Sequence, residues 1–332
     1  MAKVNVVILG DGGWGTTLAV HLHKQGHHVT LWGAFPEYCA HVAKTRENEK
    51  FLRGVKIPRG IAISSNLSEA VFCKDLIVLA VPSVYLRGVL EKLKEVSLPH
   101  RSAFLSVVKG IEISSLKRMS EVIHEELGSV KLAVLSGPTI AQELAHGLVT
   151  TAVIASNDIV LRKRLQFVFM SDNFRVYTND DVIGVELGGS LKNIIAIACG
   201  IADGLGFGSN AKAALLTRGL AEISRLGRTM GARVSTFSGL SGLGDLVTTC
   251  VSQQSRNRSV GEQIGRGKTL KQITAGMQMV AEGVPTAKSA YLLGKKFDVE
   301  LPIINEIYAV LYKNKSAKRA VVDLMTRERK EE

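Results

Sequence analysis

The first half of the chain alternates short apolar runs with segments of helical periodicity. Eight runs are rich in β-branched residues, and several are apolar throughout, without the polar alternation of a strand that has one face in water. Strands of this kind, separated by helices, are typical of a parallel sheet that helices cover on both faces. The predicted strands are KVNVVIL (3–9), HVTLW (28–32), IAIS (61–64), DLIVLAV (75–81), SAFLSVV (102–108), KLAVLS (131–136), TTAVIA (150–155) and FRVYT (174–178).

The pattern changes after Asp180. Strand-like runs stop there, and long segments with apolar residues at 3.6-residue spacing predict helices instead. The tail after Lys313 is rich in charge and is predicted to be an exposed helix. The other predicted helices cover residues 182–203, 209–230, 283–296 and 301–313.

A domain boundary is predicted between the two patterns. We place it near Thr178 to Asp181, where the sequence TNDD can cap the helix that follows. The predicted fold class is α/β, with a doubly wound Rossmann-type sheet domain over residues 1–180. An all-α helical domain over residues 181–332 is predicted to follow it.

Length and composition are those of a globular protein. The chain has 332 residues, 46% hydrophobic and 22% charged, which suffices for about two domains. The longest candidate for a membrane span, starting at Ile194, is interrupted by Gly200 and Asp203, so no membrane insertion is expected. The amino terminus lacks the cleavage site of a signal peptide. The four cysteines form no C-x-x-C pair, so we expect no disulfide framework, no metal site and a cytoplasmic location.

The charge is strongly basic. The chain has 42 Lys and Arg against 30 Asp and Glu, a net charge of +12, and most of the excess follows residue 184. Nucleic-acid binding is one interpretation, but an aromatic content of 5% and the lack of any RRM, zinc-finger or basic-zipper pattern argue against it. We therefore expect no nucleic-acid partner and a preference for anions in the second half.

A glycine motif follows the first predicted strand. Gly10, Gly12 and Gly15 form G-x-G-x-x-G at the start of a predicted helix. The first glycine permits a tight turn, the second lets the backbone reach a pyrophosphate, and the third lets helix and strand pack closely. The strand-to-helix context favours a dinucleotide site over the alternative of turn glycines without a ligand.

The end of the second strand does not reveal which dinucleotide binds. NAD enzymes usually have an acid there for the ribose hydroxyls, and NADP enzymes a basic residue for the extra phosphate. This chain has Gly33, Ala34 and Phe35, and Glu37 comes only after a proline. NAD or NADP is therefore expected, with little discrimination and a slight preference for NAD because no cation is near.

Lys192 is the only basic residue in the segment 185–204. A lysine on a helix face of small residues leaves a hollow that a substrate could fill, where it could act in acid–base chemistry. The alternative is a lysine that reaches solvent, and the sequence leaves both open. Its neighbours three and four positions away are mostly small: Gly188, Gly189, Ile195, Ala196 and Cys199.

A second polar segment has the chemistry of a phosphate site. Asp245 is an isolated carboxylate, and Ser255, Arg256, Asn257 and Arg258 lie at the predicted start of a helix. Arginine can hold a phosphate with two hydrogen bonds, and the free amides of a helix start favour an anion. The alternative interpretation is a solvated basic loop.

Together these motifs resemble the bacterial family of NAD(P)-dependent sn-glycerol-3-phosphate dehydrogenases over nearly the entire chain. The resemblance implies reversible reduction of dihydroxyacetone phosphate to sn-glycerol 3-phosphate, which feeds phospholipid synthesis. The motifs that carry it are GDGGWGTTLA, SVVKGIE, SGPTIAQELA, VELGGSLKNIIAIACGIADGLGFGSNAKAALLTRGLAE, FSGLSGLGDLVTTC, SRNRSVG and VAEGVPTA.

The resemblance also implies roles for particular residues. Lys192 would transfer the proton, with Lys109 assisting, and Asn193 and Thr249 would orient the lysine and the carbonyl. The implied cofactor contacts, besides the three motif glycines, are Gly13, Trp14, Phe35, Phe51, Lys109, Ala141, Arg256, Val280 and Glu282. The implied substrate contacts are Lys109, Gly137, Thr139, Lys192, Asp245, Ser255, Arg256 and Asn257.

The chain departs from the family pattern at two places. The family commonly has Ser where Gly13 stands, and often His or Arg where this chain has Ala34 and Phe35. The alternatives are a 3-hydroxyacid or 6-phosphogluconate-type dehydrogenase and a dinucleotide-sensing regulator without activity. The adjacent Lys192 and Asn193 and the SRNR segment argue against both. We also expect a homodimer.

Overall fold

The computed structural model describes residues 3–98, 101–328 and 331. The chain divides into two compact units. Unit 1 comprises Met1–Lys109 and Lys117–Glu186, and unit 2 comprises Gly110–Leu116 and Leu187–Glu332. The domain limits drawn at residues 180 and 181 remain a prediction.

Unit 1 is built on an eight-stranded sheet with the order β10-β9-β8-β7-β6-β1-β2-β5, and β3 and β4 form a separate antiparallel pair. All eight predicted runs form strands of the large sheet, and the small pair was not predicted. The strands are β1 (Asn5–Leu9), β2 (His28–Trp32), β3 (Glu47–Asn48), β4 (Leu52–Lys56), β5 (Ala62–Ser64), β6 (Leu76–Leu79), β7 (Ala103–Ser106), β8 (Lys131–Ser136), β9 (Thr150–Ala155) and β10 (Phe174–Asn179).

Six neighbouring strands, β5-β2-β1-β6-β7-β8, are parallel throughout. Their order is that of a doubly wound sheet. The chain adds strands outward from β1 to β5 on one side, and then returns to the other side of β1 to add β6, β7 and β8. The expectation of a wholly parallel sheet is wrong at β9, which runs antiparallel to β8. The strand TTAVIA is mostly buried. A buried strand is apolar whether it pairs parallel or antiparallel, so its apolar pattern does not reveal its direction.

Helices cover both faces of this sheet. The evidence is that alternate residues of β1, which point to opposite faces, belong to different hydrophobic clusters. Val6 and Ile8 belong to one cluster, and Val7 and Leu9 to the other. The two clusters confirm the predicted doubly wound arrangement. The helices of unit 1 are α1 (Gly13–Lys24), α2 (Pro36–Thr45), α3 (Leu67–Val71), α4 (Leu86–Lys94), α5 (Met119–Leu127), α6 (Ala141–Ala145) and α7 (Ile159–Phe169).

Unit 2 is helical in the described part of the chain. The four long predicted helices form α8, α9, α14 and α15, and the predicted tail helix is shorter, with residues 329, 330 and 332 outside the described residues. The short helices α10, α11 and α13 were not predicted, whereas α12 begins where the sequence predicted a helix start, at Ser255 to Arg258. The helices are α8 (Val182–Gly204), α9 (Ser209–Thr229), α10 (Val234–Phe237), α11 (Asp245–Val251), α12 (Arg256–Gly265), α13 (Leu270–Ala275), α14 (Gly283–Phe297), α15 (Pro302–Tyr312) and α16 (Ala317–Met325).

Helix α8 confirms the predicted helix 182–203 to within one residue, but Gly200 and Asp203 lie inside it and do not break it. Its 23 residues could cross a membrane by length and composition alone, because neither Gly200 nor Asp203 interrupts the helix. However, 89% of its apolar window is buried inside the protein. A buried core helix passes the same test, so this feature is weak evidence for a membrane span.

Helices α8 and α12 cross with their backbones in contact. A Cβ on Gly200 would lie 2.0 Å from the carbonyl oxygen of Arg258, and one on Gly261 would lie 2.0 Å from that of Ile197. Any side chain at either glycine would force the helices apart. Gly204 and Gly265, one turn further along each helix, meet in the same way.

The glycine loop between β1 and α1 is fixed by close packing. Gly10 has φ +124, and a Cβ there would lie 2.6 Å from the backbone of Ala80, which follows β6. Asn48 of β3 is fully buried, and its side-chain amide donates to the carbonyl of Asp11 over 2.6 Å. The β3–β4 hairpin therefore holds the loop from the other side.

The hairpin also explains the departure at Gly13. A Cβ on Gly13 would lie 2.6 Å from the carbonyl oxygen of Phe51, whereas one on Gly12 would meet nothing within 4 Å. In this chain the backbone of the hairpin fills the space that a side chain at position 13 would occupy.

Glu222 is a buried carboxylate between two helices of unit 2. It lies on α9, is 3% exposed, and accepts hydrogen bonds from the amides of Ile303 at 2.7 Å and Ile304 at 3.1 Å at the start of α15. Burial raises the pKa of Glu222 to about 7, although both amides oppose the shift. The carboxyl group of Glu222 therefore loses its proton and becomes negatively charged near neutral pH.

We predict that Gly13→Ser destabilises the protein without ligand by about 1–3 kcal/mol, because the new Cβ overlaps the hairpin backbone. Gly12→Ser is the matched control. Its Cβ meets open space and serine is a favourable cap for α1, so stability should hold, while NADH affinity should fall because the side chain blocks the pyrophosphate. Thermal unfolding and NADH titration of both variants check this. Equal melting temperatures for the two would contradict it.

We predict that Glu222→Gln makes stability less dependent on pH. Because the folded state holds this proton more tightly than the unfolded state, wild-type stability falls relative to the variant as pH rises from about 4.5 to about 7. At roughly 1.4 kcal/mol per pKa unit, the difference changes by up to about 3 kcal/mol. Melting temperatures between about pH 5 and 8 test this, with exposed Glu37→Gln as control. A gap that stays constant with pH would count against it.

Candidate functional site

The glycine loop of unit 1 has the geometry of a dinucleotide cradle. It lies at the carboxyl ends of β1 and β6, where the strand order reverses and α/β proteins bind their ligands. Gly12 precedes α1 with no side-chain cap and open space above it. The first amides of α1 are thus available for an anion, and these residues fit the pyrophosphate of NAD or NADP.

The other predicted cofactor contacts of unit 1 lie around this loop. Ala141, at the start of α6, has its Cβ 3.8 Å from the Cβ position of Gly13, on the side where Phe51 lies. Phe35 precedes α2 just after β2, and its ring is 71% exposed. The ring of Trp14 packs edge-on to Phe174, with centroids 6.4 Å apart.

Three predicted substrate residues meet beyond the ends of β7 and β8. Nζ of Lys109 donates to the carbonyl of Gly137 at 3.1 Å and to Oγ1 of Thr139 at 3.3 Å. The hydroxyl of Thr139 donates to the same carbonyl. Unit 1 therefore presents a lysine held by two oxygen atoms at the carboxyl edge of its sheet.

Unit 2 contains a buried cluster around Lys192. Its ammonium lies 2.5 Å from Oδ1 of Asp245 and 2.5 Å from Oγ1 of Thr249. Lys192 is 6% exposed and Asp245 is 1% exposed. The carboxylate offsets the cost of burying the ammonium, so the alternative of a lysine extended into solvent is wrong.

The glycine face of α8 determines where Asp245 lies. A Cβ on Gly188 would lie 2.4 Å from the carbonyl oxygen of Ser241, in the π-turn Leu240–Gly244 that leads into α11. The hollow expected beside Lys192 is therefore filled at Gly188 by backbone rather than left for a substrate. The close approach of this turn brings Asp245 to the lysine.

Asn193 and Asn257 form a second buried link in unit 2. The side-chain amide of Asn257 donates to Oδ1 of Asn193 at 2.9 Å, and its oxygen accepts from the backbone amide of Gly283 at 2.9 Å. Ser255 caps α12 by accepting from the amide of Arg258. Asn257 thus joins α12 to α8 and to the start of α14.

Arg256, the first residue of α12, is exposed beside the loop that precedes α14. Its Nη1 donates to the carbonyl of Val280 at 2.8 Å, and the charge of Glu282 acts on the guanidinium. The structure therefore brings together Arg256, Val280 and Glu282. A guanidinium at a helix start is suited to a phosphate group.

Two residues that shape the loop in unit 1, Asp11 and Asn48, were not predicted from the sequence. Asn48 gives no sequence signal because it lies in an unpredicted strand of two residues. Asp11 did give a sequence signal, because it is a charged residue inside the glycine motif. Among the described residues no group of three His, Cys, Asp or Glu side chains could hold a metal ion.

Comparison with known proteins agrees with this arrangement. The family model described as the NAD-dependent glycerol-3-phosphate dehydrogenase N-terminus matches residues 5–161, and its C-terminus counterpart matches residues 181–322. A curated glycerol-3-phosphate dehydrogenase [NAD(P)+] of Citrifermentans bemidjiense is 50% identical over 330 residues, 98% of each chain. Its counterpart from Chlorobium limicola is 48% identical over 332 residues, 99% of each chain.

A solved structure extends the likeness to the fold. The crystal structure of glycerol-3-phosphate dehydrogenase from Coxiella burnetii superposes with a TM-score of 0.95 at 37% identity, covering 98% of this chain and 99% of that one. The two family models together match most of the chain, and the relatives match its full length. This chain therefore belongs to the NAD-dependent glycerol-3-phosphate dehydrogenase family.

Proposed function

We propose that Lys192 donates the proton when this NAD(P)-dependent oxidoreductase reduces dihydroxyacetone phosphate to sn-glycerol 3-phosphate. The observation that carries the proposal is the buried contact of 2.5 Å between Nζ of Lys192 and Asp245. Burying a lysine is costly, and a carboxylate with a hydroxyl beside it holds the ammonium at a fixed point. A fixed ammonium is suited to a carbonyl oxygen that becomes negative.

The buried partners of Lys192 act as positioning residues in this proposal. Thr249 lies one turn after Asp245 on α11, with its Oγ1 3.5 Å from the same carboxylate oxygen that contacts the lysine. Asn193 follows Lys192 on α8 and is tied to Asn257. With the lysine already ordered, less of the substrate's binding energy is needed to position the reacting groups.

The start of α12 is proposed to bind the phosphate of the substrate. Arg256 provides the charged contact and Asn257 a polar one, and Ser255 shapes the end of the helix. Arg256 also lies beside Val280 and Glu282, so we propose that it contacts the cofactor too. A phosphate held here supplies binding energy that can be used to orient the carbonyl.

Unit 1 is proposed to hold NADH or NADPH. The loop from Gly10 to Gly15 would bind the pyrophosphate, and Gly13, Phe35, Phe51 and Ala141 would line the rest of the cofactor site. When bound, the nicotinamide supplies or accepts the hydride. Lys109, held by Gly137 and Thr139, would contribute positive charge to the substrate and the cofactor.

Family membership favours this activity over the hydroxyacid and regulatory alternatives. The product is a precursor of phospholipids, which makes lipid synthesis the proposed use of the reaction. A cytoplasmic location fits the four cysteines, which are all free. The homodimer stays a prediction.

We predict that Lys192→Ala lowers kcat by about 10²- to 10⁴-fold, because the proton donor is lost. NADH affinity should stay within a few-fold, since the glycine loop is unchanged. The assay follows NADH absorbance with dihydroxyacetone phosphate, alongside a fluorescence titration with NADH. Lys271→Ala, at an exposed lysine on α13, is the control and should leave both values unchanged. A Lys192 variant with half the wild-type kcat would remove the lysine from the mechanism.

We predict that Arg256→Ala raises KM for dihydroxyacetone phosphate by about 10-fold or more, because a charge-assisted contact to the phosphate is lost. Some loss of cofactor affinity should accompany it. Arg266→Ala, at the other end of α12, is the matched control. Unphosphorylated dihydroxyacetone should be equally poor with wild type and variant. A large effect of the substitution on that substrate would count against the phosphate assignment.

A further inference from the structure

The carboxylate of Asp11 lies at the end of β2, although Asp11 follows β1 in the sequence. The space beside Gly33, the first residue after β2, locates it. A Cβ built on Gly33 would lie 2.5 Å from Oδ2 of Asp11 and 2.7 Å from Sγ of Cys39. The carboxylate of Asp11 therefore occupies the volume that a side chain at position 33 would fill. Gly33 has no side chain and so makes room for it.

Parallel pairing brings Asp11 to this position. Leu9 of β1 is aligned with Trp32 of β2, and the amide of Gly10 donates to the carbonyl of Trp32 at 2.9 Å. Residues 11 and 33 thus leave neighbouring strands at the same edge of the sheet. In dinucleotide-binding folds an acid at the end of this second strand binds the ribose 2′-hydroxyl.

One oxygen of this carboxylate lacks a hydrogen-bond partner. Oδ2 of Asp11 is buried, and no donor among the described residues reaches it. Burial raises the pKa of Asp11, opposed in part by a hydrogen bond from its own backbone amide and by the charge of Lys50. A buried acceptor without a donor is costly unless a ligand supplies one.

The backbone at Asp11 is held in place before any ligand arrives. Its carbonyl accepts from the side chain of Asn48 at 2.6 Å and from the hydroxyl of Thr16 at 3.3 Å. Asn48 in turn accepts from the hydroxyl of Tyr38 at 2.7 Å. The carboxylate is thus presented by a fixed loop, and Asp11 keeps part of its surface exposed.

We propose that Asp11 takes the place of the missing acid at the end of β2, accepts a hydrogen bond from the adenosine ribose and makes the enzyme select NADH over NADPH. The ribose of NADH carries two hydroxyl donors, whereas the 2′-phosphate of NADPH is an anion that a carboxylate repels. This revises the expectation of little discrimination, which considered only residues that follow β2 in the sequence. The inference rests on the proposed dinucleotide site of unit 1.

The test compares Asp11→Asn with Glu37→Gln by fluorescence titration of the full chain with NADH and with NADPH, without substrate. Glu37 is the exposed acid nearest to β2 in the sequence, so its variant removes an equal charge nearby. We expect wild type to bind NADH about 10- to 100-fold more tightly than NADPH, and Asp11→Asn to reduce that ratio to a few-fold. Glu37→Gln should keep the wild-type ratio.

A second readout separates recognition from folding. Asp11→Asn removes a carboxylate that has one buried oxygen without a partner, so the melting temperature without ligand should stay the same or rise. Equal weakening of NADH and NADPH binding by Asp11→Asn, or a wild-type preference for NADPH, would overturn the role of Asp11 and leave the proposed function intact. Failure of wild type to bind either dinucleotide would instead overturn the proposed function.

Discussion

The backbone contact between α8 and α12 is the constraint on which the chemistry of unit 2 depends. Gly200 and Gly261 let the two helices approach until carbonyl oxygens occupy the places of side chains. The same two helices carry Lys192 and Asn193 on one side and Ser255 to Asn257 on the other. The Asn193 to Asn257 hydrogen bond needs this approach, because a side chain at the crossing would separate the helices.

Buried charge follows from the same close packing. Gly188 lets the turn before α11 reach α8, and this contact puts Asp245 beside Lys192. Two charges that are 6% and 1% exposed are a poor source of stability, since desolvation offsets most of their attraction. In the proposed mechanism their value lies in fixing an ammonium at one point.

The sequence predicted the architecture well because long periodic patterns dominate it. The eight strands and the four long helices are marked by apolar spacing, and the glycine motif by its position after β1. The direction of β9 was not predicted because a mostly buried strand has the same apolar pattern whether it runs parallel or antiparallel. Helices α10, α11 and α13 were missed because their 4, 7 and 6 residues are too few to show a helical period. Asp11 was missed because an acid was sought only at the end of β2. Strand pairing instead brings Asp11, which lies 22 positions before Gly33 in the sequence, to that end of the strand.

The buried Asn48 joins the glycine loop and the β3–β4 hairpin into a single structural unit. The hairpin contributes a side chain that holds the loop and a backbone carbonyl that excludes a side chain at Gly13. Neither segment can therefore change independently. A side chain at position 13 requires a hairpin of different shape, and a shorter hairpin would remove the side chain that holds the glycine loop.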